Sequence, residues 1–186
     1  AYFQINGLWE DCPNFKERVN DFLASLKTKR DHHVVIDLRF YTGGNYAYAT
    51  KLGNQPPKII NDDRKVYLIT SDKTYSAAIV TAARVKYYAK DKIVIVGEAV
   101  GDRLKFWAES KVRILPNSGI RIYDSRKEHD WKDNKRSIFR THIPNYIYGV
   151  GAKDLQVDQE IGLQFEDYQK NQDRIYDWII DTASKD

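Results

Sequence analysis

The sequence predicts an α/β domain: a mostly parallel sheet with helices on its faces and an antiparallel hairpin in the second half. The runs 33-HVVIDL-38, 65-KVYLIT-70 and 92-KIVIVG-97 are too continuously apolar for half-exposed strands and too short for most helices. Each therefore reads as a strand buried on both faces. Between the last two, 77-AAIVTAARVKYYAK-90 is alanine-rich and helix-long. Strand, helix, strand is a βαβ unit, whose right-handed crossover makes the strands parallel. Beyond residue 103 the apolar segments become short and partly alternating, the mark of antiparallel pairing.

In chain order, 2-YFQI-5 reads as a short strand. In 14-NFKERVNDFLASLK-27, Phe15, Val19, Phe22, Leu23 and Leu26 form one stripe at helical spacing, with Asn14 or Asp11 placed to cap it. The first core strand is ended by 43-GG-44. The segments 104-LKFWAE-109, 111-KVRIL-115 and 119-GIRIYD-124 are strand-like, and 116-PNSG-119 turns the last two into a hairpin. Residues 125–134 are strongly polar and read as a loop. In 165-FEDYQKNQDRIYDWIID-181, Ile175, Trp178 and Ile179 share a helical face, predicting a closing helix docked on the sheet.

Of the 186 residues 42% are hydrophobic, enough for one ordinary core, so a single domain over residues 1–186 is expected. The net charge of +4 comes from scattered lysine and arginine, which argues against nucleic-acid partners. Cys12 is the lone cysteine, and no Cys/His cluster has zinc-site spacing, so neither a metal nor another cofactor is expected. No apolar run approaches the roughly 18 residues of a transmembrane segment, and no leader is visible at Ala1. The chain lacks methionine, which predicts a processed form or fragment without its N-terminal region.

Ligands of open α/β sheets gather beyond the carboxyl ends of the parallel strands. The segments 39-RFYTGGN-45, 71-SDKTYSA-77 and 98-EAVGDR-103 lie there. The glycines at 43 and 44 can turn peptide N–H groups inward, and a helix starting after Ser76 has N–H groups without intrahelical partners. Acyl transfer needs both an attacking hydroxyl and donors for the oxyanion. From local sequence alone Ser76 is more often a helix cap than a nucleophile, the glycine pair more often a plain turn, and Glu98, Asp102 and His129 read as solvated loop residues. The pair 32-HH-33 precedes a buried strand and reads as capping or packing.

The ordered set 34-VVIDLRFYTGG-44, 65-KVYLITSDKTYSAA-78, 94-VIVGEAVGDR-103 and 115-LPNSGIRI-122 resembles the C-terminal-processing (tail-specific) serine peptidases. The closer likeness is to the branch with the tricorn core protease and the interphotoreceptor retinoid-binding protein repeats. With 2-YFQI-5 and residues 154–173, it spans nearly the whole chain. The resemblance implies a ClpP/crotonase-like spiral of ββα units. It further implies Ser76 as nucleophile, with the backbone N–H of Ala77 and of Gly43 or Gly44 as oxyanion hole.

The departures bear on mechanism. Phe40 and Tyr41 replace small and amide residues of the family pattern, Ile79 stands for a glutamate, and Gly101 stands where the Ser/Lys branch carries its lysine. Arg103 stays protonated and cannot act as a base, and Lys105 is displaced by four residues. The resemblance leaves two readings. In one, a serine peptidase cuts peptide or protein substrates with His129 as base and Asp130 as its orienting partner, or with a base from a missing N-terminal region or another subunit. In the other, a catalytically decayed domain binds a peptide or apolar ligand, using Phe40, Tyr41, Tyr46, Tyr48, Phe106 and Trp107. A thioester-polarising, crotonase-like role ranks last. Members of this family usually act outside the cytoplasm, so the resemblance implies an extracytoplasmic location.

Overall fold

The computed structural model describes residues 1–7, 14–133, 143, 147 and 149–185. In chain order the elements are β1 (Tyr2–Gln4), α1 (Phe15–Thr28), β2 (Val34–Asp37), α2 (Thr50–Asn54), α3 (Pro56–Ile59), β3 (Val66–Thr70), α4 (Ala77–Ala89) and β4 (Ile93–Gly97). There follow β5 (Lys105–Ala108), β6 (Lys111–Ile114), β7 (Arg121–Asp124), β8 (Lys127–Asp130), β9 (Gln159–Glu160), α5 (Phe165–Gln169) and α6 (Arg174–Ala183). Five strands form a parallel sheet in the order β1-β2-β3-β4-β9, with Leu68 paired to both Ile36 and Ile95. The apolar runs become its central strands: all of Val34–Asp37 and of Val66–Thr70 is buried.

Alternation along the strands sends successive side chains to opposite faces. Val34, Ile36, Leu68 and Ile95 pack with α1, α2 and α4 in one cluster. Val35, Tyr67, Ile69 and Val96 meet Ile175 and Ile179 of α6 in a second. The sheet is therefore covered on both sides, as continuous apolar strands require.

Three expectations change. The polar stretch is not all loop: Lys127–Asp130 is β8, paired antiparallel to β5, with His129, Asp130 and Trp131 buried, while Asn134 lies outside the described residues. Trp131 has 0% exposure, so one apolar side chain pulls the polar stretch inward. The closing helix is two helices, because Asp173 starts α6 anew by accepting the Tyr176 N–H at 3.1 Å. β2 ends at Asp37, before the glycine pair. At the start of α1, Asn14 caps with backbone only, at φ 59°, its carbonyl accepting from Arg18 N–H at 2.9 Å. Asp11 and Cys12 lie outside the described residues. β6 and β7 form the expected hairpin as a separate two-stranded sheet.

Candidate active site

An aspartate ends a wholly apolar strand, and its charge must be paired where it is buried. Asp37 is 0% exposed and Arg39 only 3%. Arg39 Nε donates to both Asp37 oxygens at 3.1 and 2.9 Å, and its two terminal nitrogens grip Asp173 at 2.9 and 2.7 Å. The Tyr2 hydroxyl completes the network by donating to Asp37 Oδ2 at 2.7 Å. Burial, reinforced by that aspartate, pushes the Tyr2 phenol pKa up. Burial opposes charge on Arg39 and Asp173, but their hydrogen bonds prevail, raising the arginine and holding the Asp173 carboxyl low. The Asp-Leu-Arg motif thus ties β1, β2 and the cap of α6 together.

The same loop is pinned to the one after β3. Ser71 Oγ donates to the Arg39 carbonyl at 2.5 Å, Thr74 Oγ1 to the Leu38 carbonyl at 2.9 Å, and Tyr75 N–H to the Tyr41 carbonyl at 3.2 Å. The Tyr41 ring is fully buried below these turns, and burial pushes its phenol pKa up. These ties fix how residues 39–44 approach residues 71–77. A Cβ on Gly43 would stand 3.4 Å from the Ser76 Cβ and 3.7 Å from its Oγ. Gly43 has φ +146° and Gly44 φ +118°, conformations that side chains disfavour.

Ser76 occupies the cap position of α4, but its side chain makes no cap hydrogen bond. The capping is done by its carbonyl, which accepts from Ile79 N–H at 3.0 Å and Val80 N–H at 3.3 Å. Its backbone sits at φ 55°, ψ −115°, a region costing a non-glycine residue about 1–3 kcal/mol. Among the described residues the N–H groups of Gly43 and Ala77 have no backbone acceptor. A half-exposed hydroxyl thus lies beside a glycine turn at the start of a 13-residue helix, where donors for a developing oxyanion are found.

The proposed base and its partner are held by other groups. His129 Nδ1 accepts from Trp131 Nε1 at 3.3 Å, so its ring proton belongs on Nε2, which faces Glu109 Oε1 at 3.4 Å. The ring stacks on Phe106 at 4.9 Å and meets Tyr46 edge-on at 6.2 Å. Asp130 Oδ1 accepts from the N–H groups of Lys132 and Asp133 at 3.1 and 3.0 Å, closing a turn. Neither of these ring-nitrogen contacts is with Ser76. His33, just before β2, accepts from Lys65 N–H at 3.1 Å at the opposite end of the sheet.

Gly101 shows why no lysine stands in its place. Its N–H donates to the Thr74 carbonyl at 3.0 Å, and a Cβ there would lie 2.1 Å from the Asp72 carbonyl oxygen. The loop has closed onto the Ser76 turn, leaving no room for a side chain. The aromatic residues expected around a pocket are scattered. Tyr41 is core, Tyr46, Tyr48 and Phe106 pack partly against it, and Phe40 and Trp107 are exposed. A different groove, about 260 Å³, is lined by Phe40, Leu163 and Tyr168 around the Arg39–Asp173 pair. Among the described residues no His, Cys, Asp and Glu cluster could hold a metal ion.

Sequence reasoning missed Ser71, Thr74 and the Arg39–Asp173 contact. The signal for the last was present: a charged Asp-Leu-Arg ending an apolar strand needs a buried partner.

With this geometry, the chain is similar to a solved structure of a candidate peptidase from Parabacteroides merdae, at TM-score 0.59 and 16% identity, over 98% of this chain and 60% of that one. It is also similar to the tricorn protease, at TM-score 0.54 and 16% identity, over 98% of this chain and 17% of that one. At such identity the likeness is one of fold, and the chain spans less than two thirds of either protein. No family model and no curated protein matches the sequence.

Proposed function

We propose that this chain, which has the fold of those peptidases, is a serine hydrolase that cleaves peptides or proteins through an acyl-enzyme on Ser76. The observation that carries the reading is the strained Ser76 backbone, φ 55° and ψ −115°, with the hydroxyl released from capping and set against Gly43. Capping does not require that conformation, and backbone strain of this kind collects at functional sites.

In the proposed reaction Ser76 Oγ attacks the substrate carbonyl while the N–H groups of Ala77 and of Gly43 or Gly44 receive the oxyanion. The tetrahedral intermediate collapses with cleavage of the C–N bond, the amine leaves with the proton taken from Ser76, and water then hydrolyses the acyl ester and restores the serine hydroxyl. The groove bounded by Phe40, Leu163 and Tyr168 suits an apolar substrate side chain. The proton acceptor is assigned outside the described residues, because the Ser76 hydroxyl has no hydrogen bond to a described side chain and His129 is engaged by Trp131 and Glu109. The remaining histidine, His142, lies outside the described residues, and another subunit is the other source. No described helix is long and apolar enough to cross a membrane, and we place the chain outside the cytoplasm on the motif resemblance to C-terminal-processing peptidases alone.

A fluorophosphonate probe tests the nucleophile. Wild type should label covalently and Ser76→Ala should not. Equal labelling of both removes the assignment. The closed Gly101 turn favours a second reading, a ligand-binding domain without a base. It predicts no labelling, and saturable peptide binding that survives Ser76→Ala.

A further inference from the structure

The hairpin β6–β7 joins no other sheet, and every residue from Lys111 to Tyr123 is exposed. Its register pairs Lys111 with Asp124, Val112 with Tyr123, Arg113 with Ile122 and Ile114 with Arg121. The Leu115 N–H then donates to the Ile120 carbonyl at 3.0 Å and closes the tip. Because side chains alternate, each face carries apolar groups. Val112 and Ile114 project on one face, Leu115, Ile120 and Ile122 on the other. Ile114 is 63% exposed and Ile120 58%. The ribbon projects from the end of β5–β8 in the same register, with Arg126 N–H donating to the Ala108 carbonyl at 3.0 Å, and large apolar side chains flanking its exposed turn mark a contact surface.

Charge is distributed differently. From Lys111 to Lys127 there are five basic residues and one acidic, Asp124, whose Oδ2 is shared by Arg113 at 2.8 Å and Arg126 at 3.0 Å. Lys111, Arg126 and Lys127 sit at the base of the hairpin, Arg113 stands midway along it, and Arg121 lies one rung below the tip pair. The tip pair Leu115–Ile120 lies four rungs beyond Lys111–Asp124, about 13 Å away at roughly 3.3 Å per residue. Between the two levels stands the exposed Tyr123 ring.

We propose that this hairpin is an anionic-membrane contact: its apolar tip enters the acyl boundary, Tyr123 lies at headgroup level, and the basic base holds acidic lipid headgroups. The dimensions agree, since interfacial elements bury their apolar groups by about 5–10 Å. Tyrosine favours that interface, and the long Arg121 side chain can reach back to it. A second copy of the chain would set the same positive charge against itself. An added acidic strand would cover one edge and leave both apolar faces wet, whereas a bilayer buries both.

The test is sedimentation of the 186-residue chain with vesicles of equimolar phosphatidylglycerol and phosphatidylcholine, and with phosphatidylcholine alone. Binding should need the anionic lipid, weaken with rising salt, and fall by on the order of tenfold for each tip isoleucine changed in Ile114→Ser and Ile120→Ser. Arg113→Gln with Arg126→Gln should flatten the salt dependence. Ile120→Trp, which keeps the tip apolar, should show blue-shifted emission on anionic vesicles. No sedimentation with anionic vesicles, or equal sedimentation of wild type and the tip variants, overturns the proposal. So does a dimer in sedimentation velocity that is lost in the tip variants, or an acidic peptide that displaces no lipid yet binds wild type alone. None of these readouts depends on hydrolysis.

Discussion

Gly43 and Ser76 meet across the carboxyl end of the sheet, so close that a Cβ on the glycine would stand 3.4 Å from the serine Cβ. That gap is ordinary van der Waals contact, so the constraint on Gly43 is its φ of +146°, not lack of space. Gly43→Ala should therefore twist the loop away from the serine while the rest of the fold survives. The expected outcome is a fluorophosphonate labelling rate lower by on the order of 10²-fold, the usual cost of one oxyanion donor. The melting temperature should fall by only a few degrees. Unchanged labelling would remove Gly43 from the site.

Ser76 should be a place where stability and chemistry oppose each other. Glycine accepts φ 55° without the steric cost that serine carries there, though it loses more backbone entropy. Ser76→Gly is expected to raise stability by about 1 kcal/mol, a rise in melting temperature of roughly 2–4 °C for a chain of this length, and to abolish labelling. A fall in melting temperature on this substitution would mean that the serine side chain holds the turn.

Gly101→Lys should not recreate a serine–lysine pair. Its Cβ would press on the Asp72 carbonyl at 2.1 Å, a backbone atom that cannot step aside cheaply. A loss of about 1–3 kcal/mol in chemical denaturation is expected. Labelling should not increase, and a gain in labelling at alkaline pH would show that the loop opens.

The Arg39–Asp173 contact should be visible in acid. The Asp173 carboxyl is held below its unfolded value by Arg39 and by the Tyr176 N–H, against the effect of its burial. Its contribution is therefore complete above the unfolded pKa of about 3.9 and is lost as pH falls through the lower folded value. Asp173→Asn should cost about 1 kcal/mol at neutral pH, a modest figure because the carboxylate is 42% exposed and Arg39 keeps Asp37. Melting temperatures of wild type and variant should begin to draw together only as pH falls below about 4, and meet below the folded value. A constant gap at all pH values would locate the stabilisation elsewhere.

His129→Phe separates packing from catalysis. The ring stacks on Phe106 and accepts from Trp131, so phenylalanine keeps the stack and strands one indole N–H, at about 1–3 kcal/mol. Labelling should persist in His129→Phe, and it should fall in His142→Ala if His142 is the proton acceptor and persist there if another subunit supplies it. Loss of labelling in His129→Phe would return the base role to His129.

Local pattern by itself determined the sheet and the βαβ crossover. Runs such as Val34–Ile36 and Val66–Ile69 have no polar side on which to face water, and alanine-rich residues 77–89 have no strand-like alternation. It also placed Ser76 and the glycine pair at one end, because the ends of parallel strands share an edge. Only the tertiary structure decided what spans distance. Arg39 reaches Asp173 across 134 positions, β8 is drawn out of a polar stretch by pairing with β5, and Gly101 lies under the Asp72 carbonyl. A buried charge, a strand pairing and a close backbone approach depend on partners that no window of the sequence contains, so packing alone settled them.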